Sequence, residues 1–207
     1  MTFDFGQISN TGDLRADCQH FLGHVTTAIG DAFSPAEPVG PLLSARSDAL
    51  DQVMRRIWHD IMTGIDDAAL MATGGYGRGE LFPCSDIDLL FLVADLSDER
   101  CQQAVSLFVT QLWDIGLNVG HSVRDINECQ SRARDDITIV TNLMESRVIA
   151  GRESMLTDLQ HVIGREHMWS SVDFYGAKFS EQAARHEKYG NTESNLEPNV
   201  KNSPGGL

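Results

Sequence analysis

Two aspartates one residue apart, Asp86 and Asp88, carry the most chemical information in this 207-residue sequence. They flank Ile87 and open the apolar run Ile87 to Val93, which reads as a buried strand. Alternate side chains of a strand share a face. Both carboxylates therefore project together while Ile87 points into the core. Two like charges at that spacing repel unless a cation lies between them. A hard divalent ion with oxygen ligands relieves the repulsion, and magnesium shared between carboxylates and substrate phosphates suits it. Asp86 and Asp88 are thus the expected metal ligands and catalytic residues.

The glycine-rich stretch just before them supplies the other half of a site. Gly74 and Gly75 follow directly on the apolar run Ala68 to Thr73. Without a Cβ they permit positive φ and close approach of a ligand to the backbone. Their N–H groups can cradle phosphate oxygens. Gly77 and Gly79 keep the turn open around Arg78, and Ser85 can offer its hydroxyl to a phosphate. Gly74, Gly75, Arg78 and Ser85 are the expected nucleotide-binding residues. A phosphate cradle beside a metal site is the equipment for phosphoryl or nucleotidyl transfer. A lone glycine pattern or a lone Asp-x-Asp is weak; the two together, between apolar strands, are specific.

These residues need elements to hold them. Helical spacing predicts helices over Asp13 to Ile29, Ala45 to Met62 and Asp98 to Ile115. Short apolar runs predict strands at Ala68 to Thr73, Ile87 to Val93 and Leu117 to Val123. Ser34 to Pro41 reads as a linker. From Ile126 onward the chain reads as helical, in pieces broken at Asp135, Gly151 and Gly164. Asn191 to Leu207 reads as a polar tail. The order implies an α+β fold, a small sheet with helices packed against it. The expected organisation is an N-terminal helical segment and linker (1–44), a catalytic core (45–150), a helical extension (151–190) and the tail (191–207).

Composition bounds the partners. Thirty acidic against sixteen basic residues leave a net charge of −14, which repels nucleic acid and anionic membrane surfaces. No apolar run approaches the roughly 20 residues of a membrane span. The N-terminus lacks the basic and apolar regions of a signal peptide. Cys18, Cys84, Cys101 and Cys129 are scattered, without metal-binding spacing. They read as reduced thiols of a cytoplasmic protein.

The order apolar strand, GGYGRGE, then SDID on the next strand resembles the DNA polymerase beta-type nucleotidyltransferase superfamily. The whole stretch GGYGRGELFPCSDIDLLFLV is similar to the N-terminal domain of protein-PII uridylyltransferase/uridylyl-removing enzymes. LWDIGLNVGHSVRD, ITIVTNLMESRVIAG and NLEPNVKNSPGGL extend that likeness from about residue 45 to the last residue. The resemblance implies a small mixed sheet flanked by helices. It implies transfer of UMP from UTP to a tyrosine of the PII nitrogen-signalling protein, with Mg²⁺ or Mn²⁺ as cofactor and pyrophosphate as product. The alternatives are another acceptor on the same fold, or a domain that binds nucleotide without turnover. The family's phosphohydrolase and glutamine-sensing domains are not legible here, and a shortened chain is expected.

Many polymerase beta-type enzymes add a third carboxylate from a later strand. Leu117 to Val123 offers only His121, which reads as a buried, bonded histidine or, alternatively, as lining the site. Asp125, Asp136 and Glu145 are nearby acids that read as structural or solvated. His59 and Asp60 read as a surface pair, and Lys201 as a solvated lysine. Trp58, Trp113 and Trp169 read as core or interface aromatics.

Overall fold

The computed structural model describes residues 1–8, 11–164, 167–190, 192 and 204. A four-stranded mixed sheet lies at the centre, in the order β3-β2-β1-β4. Its strands are β1 (Ala68–Ala72), β2 (Ile87–Val93), β3 (Val119–Arg124) and β4 (Arg147–Gly151). β1 pairs antiparallel with both β2 and β4, whereas β2 and β3 run parallel. The parallel pair needs a crossover, and helix α5 (Glu99–Ile115) provides it. Asp98 caps α5 by accepting the amides of Arg100 and Cys101, and Gly116 ends it at φ 98°.

Helices cover both faces, so the fold is α+β with the small mixed sheet expected. On one face α2 (Leu14–Ala32), α3 (Gly40–Ile61) and α5 bury Phe21, Val53, Ile57, Phe91 and Phe108 in a single core. On the other, α6 (Ile126–Asp135), α7 (Ile137–Met144) and α8 (Ser154–Val162) bury Met71, Leu90, Leu92, Val140 and Leu159. β1 is buried at all five positions, which explains why it reads as continuous apolar sequence. A one-turn helix, α1 (Phe5–Ile8), precedes α2. The last described helix is α9 (Ser171–Lys188).

Several elements differ from the sequence-based expectation. α3 begins at Gly40, inside the segment read as a linker, because Pro41 occupies its first turn, where no N–H is needed. β3 begins two residues later than expected and runs to Arg124. The stretch after Ile126 is not wholly helical: Arg147–Gly151 is the edge strand β4. Its five residues are too short to show a period, and pairing with β1 decides their conformation. The glycine turn is itself a one-turn helix, α4 (Gly74–Gly77).

One buried carboxylate joins three of these elements. Asp51 of α3 is 3% exposed. It accepts from Tyr76 Oη of α4 at 2.7 Å, from both Arg147 terminal nitrogens of β4 at 2.5 and 2.9 Å, and from Arg55 Nη2 at 3.1 Å. The Arg147 guanidinium also lies 5.2 Å from the Tyr76 ring centre. Burial, with the adjacent Asp51 charge and hydrogen bond, pushes the Tyr76 phenol well above its ordinary pKa. Burial alone would depress the Arg147 guanidinium, but the Asp51 hydrogen bonds and charge hold it above its usual value.

Asp51→Ala leaves Arg147 half-buried without its counter-charge. It is expected to lower the unfolding free energy by about 3 kcal/mol, read by urea denaturation. Tyr76→Phe is expected to cost about 1 kcal/mol at neutral pH. Because the folded state holds the Tyr76 proton more tightly than the unfolded chain, this contribution is complete below about pH 10 and fades above it. The gap between wild type and Tyr76→Phe should therefore narrow at alkaline pH.

Candidate active site

The burial alternation expected around Ile87 is present, although Asp86 lies outside the strand. Ile87 is buried, while Asp86, just before β2, and Asp88, its second residue, are exposed. Asp88 is registered opposite Gly120 of β3. A Cβ on Gly120 would stand 2.7 Å from Asp88 Oδ1, and one on Gly74 would stand 3.8 Å from Asp88 Oδ2. The Asp88 carboxylate thus sits between two backbone segments that are both glycine where they meet it. A glycine inside a strand marks such a close approach, and this was the legible signal for Gly120.

Gly74 opens α4 at φ 56°, a conformation suited to glycine. The first intrahelical bond of α4 is Gly77 N–H to Thr73 O, at 3.0 Å. The amides of Gly74 and Gly75 precede it and have no acceptor within the turn. Thr73 itself is tied to β2 by its amide, which donates to Asp88 O at 3.1 Å. The turn and the aspartate strand are therefore fixed to each other. Gly77 plays a packing part: a Cβ there would lie 2.1 Å from Glu145 O at the end of α7. Gly79 has open space and φ 74°.

Arg78 closes the turn as its C-cap. Its Nε donates to Glu80 and its Nη1 pairs with Glu145, each at 2.8 Å. The Glu80 hydrogen bond, with Glu145 adding to it, holds the guanidinium above its ordinary pKa. Its Nη2 lies 3.8 Å from the position of a Cβ on Gly75, so the charge stands beside the turn. Ser85 lies in the exposed segment Phe82 to Asp86, its amide donating to Phe82 O. Cys84, in the same segment, adopts φ 65°.

A polar cleft of about 280 Å³ opens on this side of the sheet. Thr73, Asp88, Gly120, Ser122, Arg124 and Asn142 line it. Asn142 enters from α7, its Oδ1 3.9 Å from the position of a Cβ on Gly74. Sequence reading did not single out Thr73, Ser122, Arg124 or Asn142. Nothing in their local pattern distinguishes them, because three different elements bring them together.

The acids considered as a third ligand have other engagements. Asp125 caps α6 by accepting Glu128 N–H at 2.7 Å, and Asp136 caps α7 by accepting Thr138 N–H at 2.7 Å. Glu145 pairs with Arg78. His121 is exposed rather than buried, and its ring stands edge-on to Phe91 and Trp113, on the α5 side of the sheet. Among the described residues no three His, Cys, Asp or Glu side chains converge on one point. His59 and Asp60 lie on the surface of α3, where Asp60 pairs with Arg56. Lys201 lies outside the described residues.

The cysteines differ among themselves. Burial raises Cys18 to about 12, with the Asp17 charge adding, and raises Cys129 to about 11. Cys101 is buried, and burial raises its thiol as well. Cys84 is exposed. A thiol reagent at pH 8 is expected to modify one cysteine of the native chain quickly, Cys84, and all four only after denaturation; intact-mass measurement reads the count. Gly77→Ala should cost about 2–3 kcal/mol of stability through the clash with Glu145 O. Gly79→Ala should cost about 1 kcal/mol, from backbone strain alone. Thermal denaturation distinguishes the two.

Three comparisons bear on this geometry. The model of the family described as GlnD PII-uridylyltransferase matches residues 173–207. A bifunctional uridylyltransferase/uridylyl-removing enzyme of Pseudomonas fluorescens is 50% identical over 99% of this chain and 23% of its own length. One of Pseudomonas putida is 50% identical over 84% of this chain and 20% of its own. The chain therefore spans less than a quarter of these relatives. A toxin-antitoxin crystal structure with AMP-PNP aligns with 64% of the chain and 90% of its own at 16% identity, but its TM-score of 0.31 carries no weight. Over nearly its whole length the chain is thus similar to part of bifunctional uridylyltransferase/uridylyl-removing enzymes, and residues 173–207 match the GlnD PII-uridylyltransferase family model.

Proposed function

We propose that this chain is a metal-dependent nucleotidyltransferase domain that transfers UMP from UTP to a tyrosine hydroxyl of PII. The observation that carries the reading is the Asp86–Asp88 pair, exposed on either side of buried Ile87, with the Asp88 carboxylate cradled by Gly74 and Gly120. The residues present fit a hard cation. Two carboxylate side chains leave further positions for phosphate oxygens and water, which is how Mg²⁺ is usually held. When bound, the ion supplies Lewis acidity at the α-phosphate and offsets charge that builds on its oxygens.

The chain's own groups have separate parts in this reading. Asp86 and Asp88 hold the ion. The Gly74 and Gly75 amides receive phosphate oxygens, with Arg78 beside them as a fixed positive charge and Ser85 as a further donor. The tyrosine oxygen bonds to the α-phosphorus as the bond to the bridging oxygen breaks. Pyrophosphate leaves, and the hydroxyl proton is released. The polar cleft of Thr73, Ser122, Arg124 and Asn142 adjoins Asp88 and gives the acceptor a place to enter. The family matches support UTP and PII as substrates. A cytoplasmic location follows from the same reading. Among the described residues no helix is long and apolar enough to cross a membrane.

Incubation of the chain with PII, labelled UTP and Mg²⁺ tests the reading. Asp86→Asn and Asp88→Asn should each lower UMP incorporation by about 100-fold or more, since several kcal/mol of charge stabilisation goes with the ion. Chelation of the metal should do the same. Equal incorporation by wild type and both variants would remove the pair from the chemistry. Equal use of ATP would remove uracil selectivity.

A further inference from the structure

Strand β3 is an edge of the sheet: it pairs with β2 on one side, and the sheet ends there among the described residues. Open edges are templates for another strand, and proteins commonly blunt them with lysine, proline or a bulge. The six residues Val119–Arg124 contain neither lysine nor proline, and their pairing with β2 runs without a register shift. The opposite edge differs. Arg55 of α3 donates to Ile149 O of β4 at 2.9 Å, and β4 carries an irregularity against β1.

The β3 edge also stands between two clefts, one on each face of the sheet. Gly120, His121, Ser122 and Arg124 border the polar cleft that contains Asp88. His121 and Val123 border a largely apolar cleft of about 340 Å³ completed by Val105, Val109 and Trp113 of α5. Trp113 is 56% exposed although it lies edge-on to His121 at 6.3 Å between ring centres. Aromatic side chains left exposed beside an open edge suit a partner surface.

We propose that an extended segment of the acceptor protein docks on the β3 edge as a fifth strand and so presents its hydroxyl side chain to the Asp88 cleft. The proposal rests on the reading of a protein acceptor given above. An added strand lies about 4.8 Å from β3 and alternates its side chains between the faces. One side chain then enters the polar cleft beside Gly120, which is registered with Asp88. Its neighbours in sequence point the other way, onto Trp113 and Val123. Main-chain bonds supply affinity and the two clefts supply selectivity, as in other strand-addition complexes. The continuity of the edge with the candidate active site is what favours the acceptor over other occupants.

Amide hydrogen exchange of the chain with and without PII tests this, because it reads docking apart from turnover. Protection by about tenfold at Val119–Arg124 on adding PII is expected. Trp113→Ala, at an exposed position, should weaken PII binding by about tenfold in calorimetry and leave UTP binding unchanged. PII that binds without protecting these amides, or that does not bind, overturns the proposal. Protection that rises with chain concentration in the absence of PII assigns the edge to a second copy and also overturns it. UMP transfer without β3 protection leaves the proposed function standing and removes only the docking mode. Protection without transfer supports the docking mode and counts against the function.

Discussion

The Asp51 carboxylate is the constraint from which the geometry of the site follows. A charge 3% exposed must be matched by opposite charge and hydrogen bonds, or it costs several kcal/mol. Here Arg147, Arg55 and Tyr76 all aim at it. Those partners belong to β4, α3 and the glycine turn, three parts of the chain separated by up to 96 positions. Satisfying one buried carboxylate therefore sets the position of the turn that carries Gly74 and Gly75. Buried ion pairs contribute little net stability over well-packed apolar groups. We read the contribution of this one as positional, because Tyr76 directly follows Gly74 and Gly75, whose amides form the proposed phosphate cradle.

The sheet completes the arrangement. β2 lies between β1, which leads into the turn, and β3, which brings Gly120 opposite Asp88. Neighbouring strands lie only about 4.8 Å apart, so a carboxylate that leans across a strand needs a position without a Cβ. Gly120 provides it, and Gly74 does so on the other side. The bond from Thr73 N–H to Asp88 O ties the two segments together at the backbone. A net charge of −14 is no obstacle to an anionic ligand in such a place. In the proposed reading, oriented amides and a bound divalent ion would dominate the local field.

The acids around the site show how local competition assigns roles. Asp125 and Asp136 lie close in sequence to β3 and α7, yet each is used as a helix cap. Glu145 neutralises Arg78 and so helps hold the end of the turn. Short side chains before a helix are drawn to its unsatisfied amides, and Asp125 and Asp136 both precede an apolar residue that begins one.

The sequence alone determined the features that depend on nearest neighbours along the chain. The exposure of Asp86 and Asp88 around buried Ile87 was legible because strands have a period of two. Gly74 and Gly79 mark a turn because glycine readily tolerates its positive φ. α2, α5 and β2 are legible from their apolar spacing and caps, and the family likeness is carried by contiguous motifs. Tertiary structure decided what requires distant segments to meet. Arg147–Gly151 became a strand because β1 offered a partner edge, although five residues show no period of their own. Asp51 in α3 looks like any helical acid until Tyr76 and Arg147 arrive from elsewhere. Thr73, Ser122, Arg124 and Asn142 became one cleft only when α7 folded over the sheet. Local pattern reports backbone preference and burial, whereas the walls of a site are set by contacts whose partners lie tens of residues away.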